Sequence, residues 1–321
     1  MKKLILPQEI LTSMGSGNIT VMVTEFIILG FGDLKELGLL LFLVFGIVYL
    51  ATIAGNLLLI VLVVTQRRLQ TPMYFFLANL SCLEICYTSN IMPRMLVDLL
   101  RENKVISMVG CIIQLYFFGA LGSTECYLLA VMSYDRYLAV CRPLHYPTLM
   151  HGTVCMGLVI GSWVSGFTVA AAFQAAMISS LTFCGGNEID HFFCDLKPLQ
   201  KLSCSDPYLI NLVCMNLTAL VTLAPFGLTL VSYWKIISTV LHIPSTTGRQ
   251  KAFSTCSSHL VVVTLFYGTL ILVYAVPLAN RVPVVNKIFS VLYTVVTPMC
   301  NPLIYSLKNK DVKEVLKKLK I

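Results

Sequence analysis

The sequence predicts an all-α membrane protein: a seven-transmembrane helix bundle with a short amphipathic C-terminal helix. Three observations lead there. Of 321 residues, 57% are hydrophobic and 12% charged, and the mean hydropathy is +0.82, whereas soluble domains carry about 25% charged residues. Seven stretches are long and apolar enough to cross a bilayer, which takes about 20 residues as a helix. None of them alternates apolar and polar residues as the strands of a membrane barrel do. Disorder is excluded, because it requires low hydrophobicity and high charge.

An N-terminal segment, 1–36, precedes the first span. The spans cover 37–64, 72–93, 107–134, 153–178, 207–234, 252–277 and 288–307, and a tail occupies 308–321. Only Glu84, in the second, and Glu125, in the third, are charged groups well inside a span. With the N-terminus outside, the inner segments hold 13 basic groups against three acids, and the outer segments balance at 10 of each. Lysine and arginine collect on the cytoplasmic side, so this orientation is expected. The net charge of +8 then reflects topology and anionic inner-leaflet lipid, with no nucleic-acid partner. Asn18-Ile19-Thr20 supplies a glycosylation sequon at Asn18 in the outer segment. Met1–Ser13 lacks the apolar core of a cleavable signal peptide, so the first span is expected to act as an uncleaved signal-anchor.

Of 12 cysteines, Cys111, Cys184, Cys194 and Cys204 fall on the outer face or its edge. An even set in an oxidising compartment suggests two disulfides, with three connectivities open. The long outer loop Ser179–Asp206 carries three of these cysteines and His191-Phe192-Phe193. It reads either as a lid over the bundle or as a stapled surface. In the tail, Val312, Val315, Leu316 and Leu319 share one helical face among lysines, which predicts an amphipathic helix on the inner leaflet.

Polar groups inside the spans form a layer. At about 1.5 Å per residue, Glu84 lies about 18 Å above Pro72, and Glu125 about 15 Å before Asp135. Asn56 and Asn301 fall at similar depth. Two carboxylates there repel unless they share a proton or a cation. The layer is expected to hold Na⁺, a proton or water, or else to be a static hydrogen-bonded plug. Asp135-Arg136-Tyr137 sits where the third span meets the cytoplasm, either as a releasable charge pair or as an interfacial anchor.

Several runs extend this pattern. Thr24-Glu25-Phe26-Ile27-Ile28-Leu29-Gly30-Phe31 precedes span one, and Gly55-Asn56 lies within it. Pro72-Met73-Tyr74-Phe75-Phe76-Leu77 opens span two. Met132-Ser133-Tyr134-Asp135-Arg136-Tyr137-Leu138-Ala139-Val140-Cys141-Arg142-Pro143-Leu144 closes span three. Lys251 to Leu260 opens span six, and Asn301-Pro302-Leu303-Ile304-Tyr305 ends span seven. On these residues the chain resembles a rhodopsin-like G-protein-coupled receptor, and more closely an odorant receptor. His191-Phe192-Phe193-Cys194-Asp195 is similar to the tetrapod-type (class II) branch. Ser133 and Glu84 stand where that family usually has Ala and Asp, and Met14 is the more typical start.

The resemblance implies disulfides Cys111–Cys194 and Cys184–Cys204. It implies that Asp135, Arg136 and Tyr137 serve G-protein coupling, with Asn301, Pro302 and Tyr305 completing the activation motif. It implies a heterotrimeric stimulatory, olfactory G protein as partner, cyclic AMP as the output, and the ciliary plasma membrane as location. It places the ligand among spans three, five and six. The candidates there are Phe118, Gly119, Gly122 and Ser123, then Leu217, Thr218 and Val221, then Tyr267, Leu270, Ile271 and Tyr274. Apolar walls, small residues and a few hydroxyls suit a small, largely neutral volatile odorant. Phe118 stands where amine receptors carry an acid, which disfavours a cationic amine. No catalytic residues and no cofactor are expected beyond a Na⁺ at Glu84 and Glu125. A non-olfactory receptor of the same fold and a transporter or channel are the competing readings.

Overall fold

The computed structural model describes residues 23–32, 37–183, 186–204, 207–274, 283–308 and 310–318. Helices dominate, because apolar side chains and internally paired backbone groups are what a bilayer tolerates. In chain order they are α1 (Gly38–Thr65), α2 (Pro72–Leu100), α3 (Met108–Cys141), α4 (Tyr146–Leu149), α5 (Gly152–Ser180) and α6 (Leu196–Lys201). Then come α7 (Pro207–Leu241), α8 (Thr246–Tyr274), α9 (Pro283–Val291), α10 (Thr297–Lys308) and α11 (Lys310–Lys318). A wide π-type turn, Leu292–Val296, joins α9 to α10 into one spanning unit. The long helices α1, α2, α3, α5, α7, α8 and α9–α10 make the seven-helix bundle.

Five helical stretches are long and apolar enough on composition to cross a membrane: those of α1, α3 and α5, Met215–Leu241 and Val284–Tyr305. Helix α2 is diluted by Glu84, Arg94 and Asp98, and α8 by Arg249, Lys251 and the polar run after them. The apolar part of α8 is Cys256–Ile271. Helix α2 also continues through Pro93 to Leu100. Past the proline, Arg94 Nε donates to both Asp98 oxygens at 3.0 and 2.8 Å, and Arg94 Nη2 donates to Val105 O at 2.6 Å.

Helix α3 is the central element. Its N-terminus is capped by Ser107, whose Oγ accepts from Gly110 N at 3.1 Å. It packs against α2, α5, α7 and α8. The approach to α5 is closest at Gly166, where an added Cβ would stand 2.7 Å from Thr124 N and 2.9 Å from Ala120 O. Helices α1 and α10 meet at Gly55, where a Cβ would lie 3.2 Å from Pro302 Cγ.

One end of the bundle carries a small sheet that an all-α reading did not anticipate. Strand β1 (Glu25–Ile28) pairs antiparallel with β2 (Val105–Ser107), Phe26 opposite Ile106. It pairs parallel with β3 (Glu188–Ile189) in the long loop. Phe26, Ile28, Cys111, Cys194, Leu199 and Ile189 bury together as a second core beneath this sheet. At the opposite end, α11 is the short amphipathic helix that the tail sequence predicts. Val312 and Val315 are 1% and 5% exposed and join the main core, and Glu314 is ion-paired with Arg68. An amphipathic helix satisfies its apolar stripe equally well against protein or lipid, and here the bundle takes its two valines while Leu316 stays half-buried.

Candidate functional site

At the end opposite the sheet, Arg136 is held by its neighbour. Both Nε and Nη2 of Arg136 donate to Asp135 Oδ2, the former at 3.0 Å. Tyr146, on α4, donates to Asp135 Oδ1 at 2.8 Å. Asp135 is wholly buried and Arg136 is 8% exposed. Desolvation raises the Tyr146 hydroxyl above the usual tyrosine range, and the Asp135 carboxylate pushes the same way, so Tyr146 stays a donor. Helix α8 has no acidic residue between Thr246 and Tyr274, so the partner of Arg136 comes from its own helix. Tyr233 of α7 and His259 of α8 lie 2.6 Å apart, Oη to Nδ1. Both, with buried Tyr305, are within electrostatic reach of Arg136. Tyr137 stacks on Tyr134 with ring centroids 6.1 Å apart.

Midway along the bundle the structure brings the four predicted polar groups together. Asn301 Nδ2 donates to Glu84 Oε1. The carboxyls of Glu84 and Glu125 interact directly. Asn56 Nδ2 donates to Thr52 O at 3.0 Å and to Pro298 O at 3.4 Å. Glu84 Oε2, Glu125 Oε1, Asn56 Oδ1 and Asn301 Oδ1 are all buried with no hydrogen-bond partner among the described residues. Four orphaned oxygens in one layer suit an oxygen-seeking cation or a carboxyl proton. No group of three or more His, Cys, Asp or Glu side chains suited to a metal occurs among the described residues.

Toward the sheet end, α3 carries a stripe that is only half-buried. Phe118, Gly119, Gly122 and Ser123 are half-buried, while Ala120, Leu121, Thr124 and Glu125 between and beside them are buried. A Cβ on Gly122 would meet nothing within 4 Å. Of the other candidates, Leu217 and Leu270 are half-buried, Val221 and Tyr267 are buried, and Thr218 and Ile271 are exposed. Tyr267 closes the α7–α8 seam against Phe226, centroids 4.6 Å apart. The Tyr274 side chain lies outside the described residues, as does Asn18.

Phe118 turns toward groups that the sequence did not single out. It contacts Tyr87 of α2, Phe193 of the loop and Tyr293 of the π turn, with centroids 5.6, 5.1 and 6.0 Å away. The loop is tied down beside them. Lys287 Nζ of α9 donates to Asp190 Oδ1 at 2.5 Å, and His191 Nε2 lies 3.2 Å from Ser290 Oγ. The one signal in the sequence was the His191-Phe192-Phe193 run, whose partners on α2 and α9 lie about a hundred residues away on either side. The disulfide Cys111–Cys194 is present, with Cα atoms 5.4 Å apart. Cys184 lies outside the described residues, and Cys204 is itself disulfide-bonded.

Known proteins resemble this chain in fold and in sequence. Squid rhodopsin has the same fold, with a TM-score of 0.68 at 17% identity, over 86% of this chain and 78% of that one. The family model of olfactory receptors matches residues 45–321. The chain belongs to the olfactory receptor family. Human olfactory receptor 11A1 is 51% identical over 304 residues, 95% of each chain. Human olfactory receptor 11L1 is 52% identical over 300 residues, 94% of this chain and 93% of its own. Mouse olfactory receptor 5AP2 is 48% identical over 297 residues, 92% of this chain and 93% of its own. The olfactory receptor described here is thus a multi-pass membrane receptor, not an enzyme.

Proposed function

We propose that this olfactory receptor binds a small, largely neutral volatile molecule beside the half-buried stripe of α3 and activates the stimulatory olfactory G protein, raising cyclic AMP. The stripe at Phe118, Gly119, Gly122 and Ser123 is the observation that carries the reading. Ser123 Oγ donates to Gly119 O at 2.7 Å, and its oxygen is left to accept a ligand hydroxyl. The stripe from Phe118 to Ser123 carries no acid, and Glu125, two residues further along, is buried in the layer with Glu84, which favours a neutral ligand over a cation.

Signalling then requires two packings of the bundle that the ligand binds unequally. In the packing described, Arg136 is buried against Asp135 and cannot reach a partner. Parting Tyr233 from His259 would let α8 move and free the guanidinium for the G protein. The receptor would sit in the ciliary plasma membrane with the sheet end and N-terminus extracellular and the Arg136 end cytoplasmic. Glu84, Glu125, Asn56 and Asn301 would hold Na⁺ or a shared proton, biasing the same equilibrium. A non-olfactory small-molecule receptor of this fold remains the alternative. The orphaned oxygens also motivate a channel, which predicts ligand-gated current without a G protein.

A cyclic AMP assay across a broad volatile panel, in cells supplying the olfactory G protein, tests the proposal. Ser123→Ala should weaken the response to hydroxyl-bearing ligands about tenfold. Full responses after Ser123→Ala, Thr218→Ala and Tyr274→Phe alike would place the ligand elsewhere.

A further inference from the structure

Three buried hydroxyls from three helices approach one another in the core: Ser133 of α3, Thr229 of α7 and Tyr267 of α8. Ser133 lies between Glu125 and Arg136 on the central helix, about 4.5 Å along it from Arg136. Thr229 lies four residues before Tyr233, and so on the same face of α7. The Tyr267 ring packs on Phe226, centroids 4.6 Å apart, and Phe226 is one turn back along α7 from Thr229.

Their hydrogen bonding is incomplete. Ser133 Oγ lies 2.8 Å from Leu129 O and 3.4 Å from Thr229 Oγ1. A serine hydroxyl carries one proton, and the nearer carbonyl takes it. Buried hydroxyls elsewhere in the bundle, such as Thr124 and Ser162, donate to the carbonyl four residues back, each at 2.8 Å. Thr229 makes no such bond among the described residues. Tyr267 lies within electrostatic reach of Thr229, yet its Oη is buried with no hydrogen-bond partner among the described residues. Two hydroxyl protons, those of Thr229 and Tyr267, thus stand without a good acceptor in the interior, where an unmade hydrogen bond is costly.

We propose that these hydroxyls close into a chain in the second packing of the bundle, with Tyr267 donating to Thr229, Thr229 to Ser133 and Ser133 to Leu129 O, and that Ser133 thereby tunes how readily this receptor activates. The inference rests on the signalling reading given above. In the closed chain every proton has an acceptor, and bonds in series strengthen one another. Closing the gap between Ser133 and Thr229 by about half an ångström brings it into the ordinary range for two hydroxyls. The chain joins α3, α7 and α8 at one level. In the packing described, α7 and α8 are tied instead through Tyr233 and His259. One set of interhelical bonds is exchanged for another, as two distinct packings require. Ser133 is a positioning residue here: it acts through α7 and α8 on the helix ends around Arg136.

The test measures cyclic AMP per surface receptor in cells supplying the olfactory G protein. Ser133→Ala and Thr229→Val each remove one hydroxyl without adding bulk, and alanine is the residue the family usually carries at position 133. Basal cyclic AMP should fall about threefold or more in either variant. The double variant should fall no further than the single ones, because either change alone breaks the chain. Every volatile in the panel that activates the unaltered receptor should lose potency by a common factor, since the packing equilibrium changes and the pocket does not. Thr229→Ser, which keeps the hydroxyl, should retain basal activity. Ser162→Ala, which removes a buried hydroxyl bonded within its own helix, should leave it unchanged. Basal activity unchanged or raised in Ser133→Ala and Thr229→Val would overturn the inference, as would a double variant whose fall is the product of the two single falls. An unaltered receptor that raises cyclic AMP with no volatile and has no basal activity would overturn the signalling reading and this inference with it.

Discussion

His191 has no exposed surface, stacks on Phe192 and meets Phe193 edge-on, with centroids 4.7 and 4.6 Å away. Burial, and secondarily the nearby Lys287 ammonium, push its pKa down from 6.5 to about 3. The folded state thus keeps His191 neutral where the unfolded chain would protonate it. Stability tied to this residue is full above about pH 6.5 and is lost as pH falls toward 3. Melting curves of the purified receptor between neutral pH and pH 4 should therefore shift downward. His191→Gln, with no proton to refuse, should flatten that slope. An unchanged slope in His191→Gln would assign the acid sensitivity to another group. The cost of the loop's polar ties is offset by pairing: Ser290 partners the imidazole and Lys287 partners Asp190.

At the scale of elements, α3 and α5 are held at contact distance by the missing side chain of Gly166. Its would-be Cβ meets backbone atoms of α3, which cannot swing aside. Gly166→Ala should force the helices apart and destabilise the receptor by about 1–3 kcal/mol, whereas Gly157→Ala, with nothing within 4 Å, should not. Thermal inactivation in detergent distinguishes the two; equal half-lives would mean that the helices adjust freely. The tail helix offers a second case. Val315→Asp buries a charge in the main core and should lower surface expression severalfold. Glu314→Gln, which removes an ion pair half-exposed at both ends, should cost under about 1 kcal/mol. If Val315→Asp were as mild as Glu314→Gln, α11 would rest on lipid after all.

Across the whole molecule, the layer of Glu84, Glu125, Asn56 and Asn301 lies between the sheet end and the Arg136 end. Helices α1, α2, α3 and α10 each contribute one member, so a change in its occupant alters how four helices fit. Glu84→Gln and Glu125→Gln should each reduce the effect of replacing Na⁺ by a bulky organic cation on basal cyclic AMP, by about threefold or more. Unchanged Na⁺ sensitivity in both variants would make the layer a static plug. The spans themselves were legible because bilayer crossing demands continuous apolar runs, which survive in a linear reading. The polar layer was legible for the same reason, since Glu84 and Glu125 interrupt such runs. The sheet was not, because β1 is four residues long and its partners lie some 80 and 160 positions further along.

Composition and local order alone determined the helix bundle, its membrane setting, the polar layer and the Asp135-Arg136 pair. Each depends on what one segment needs from lipid or on a fixed helical rise. Which stripe of α3 stays half-buried, which buried hydroxyls meet between helices, where the tail's valines go and what Phe118 touches were decided only by the tertiary structure. Those are properties of surfaces contributed by distant segments, and a side chain's own chemistry is the same whether a neighbouring helix, a ligand or a lipid covers it.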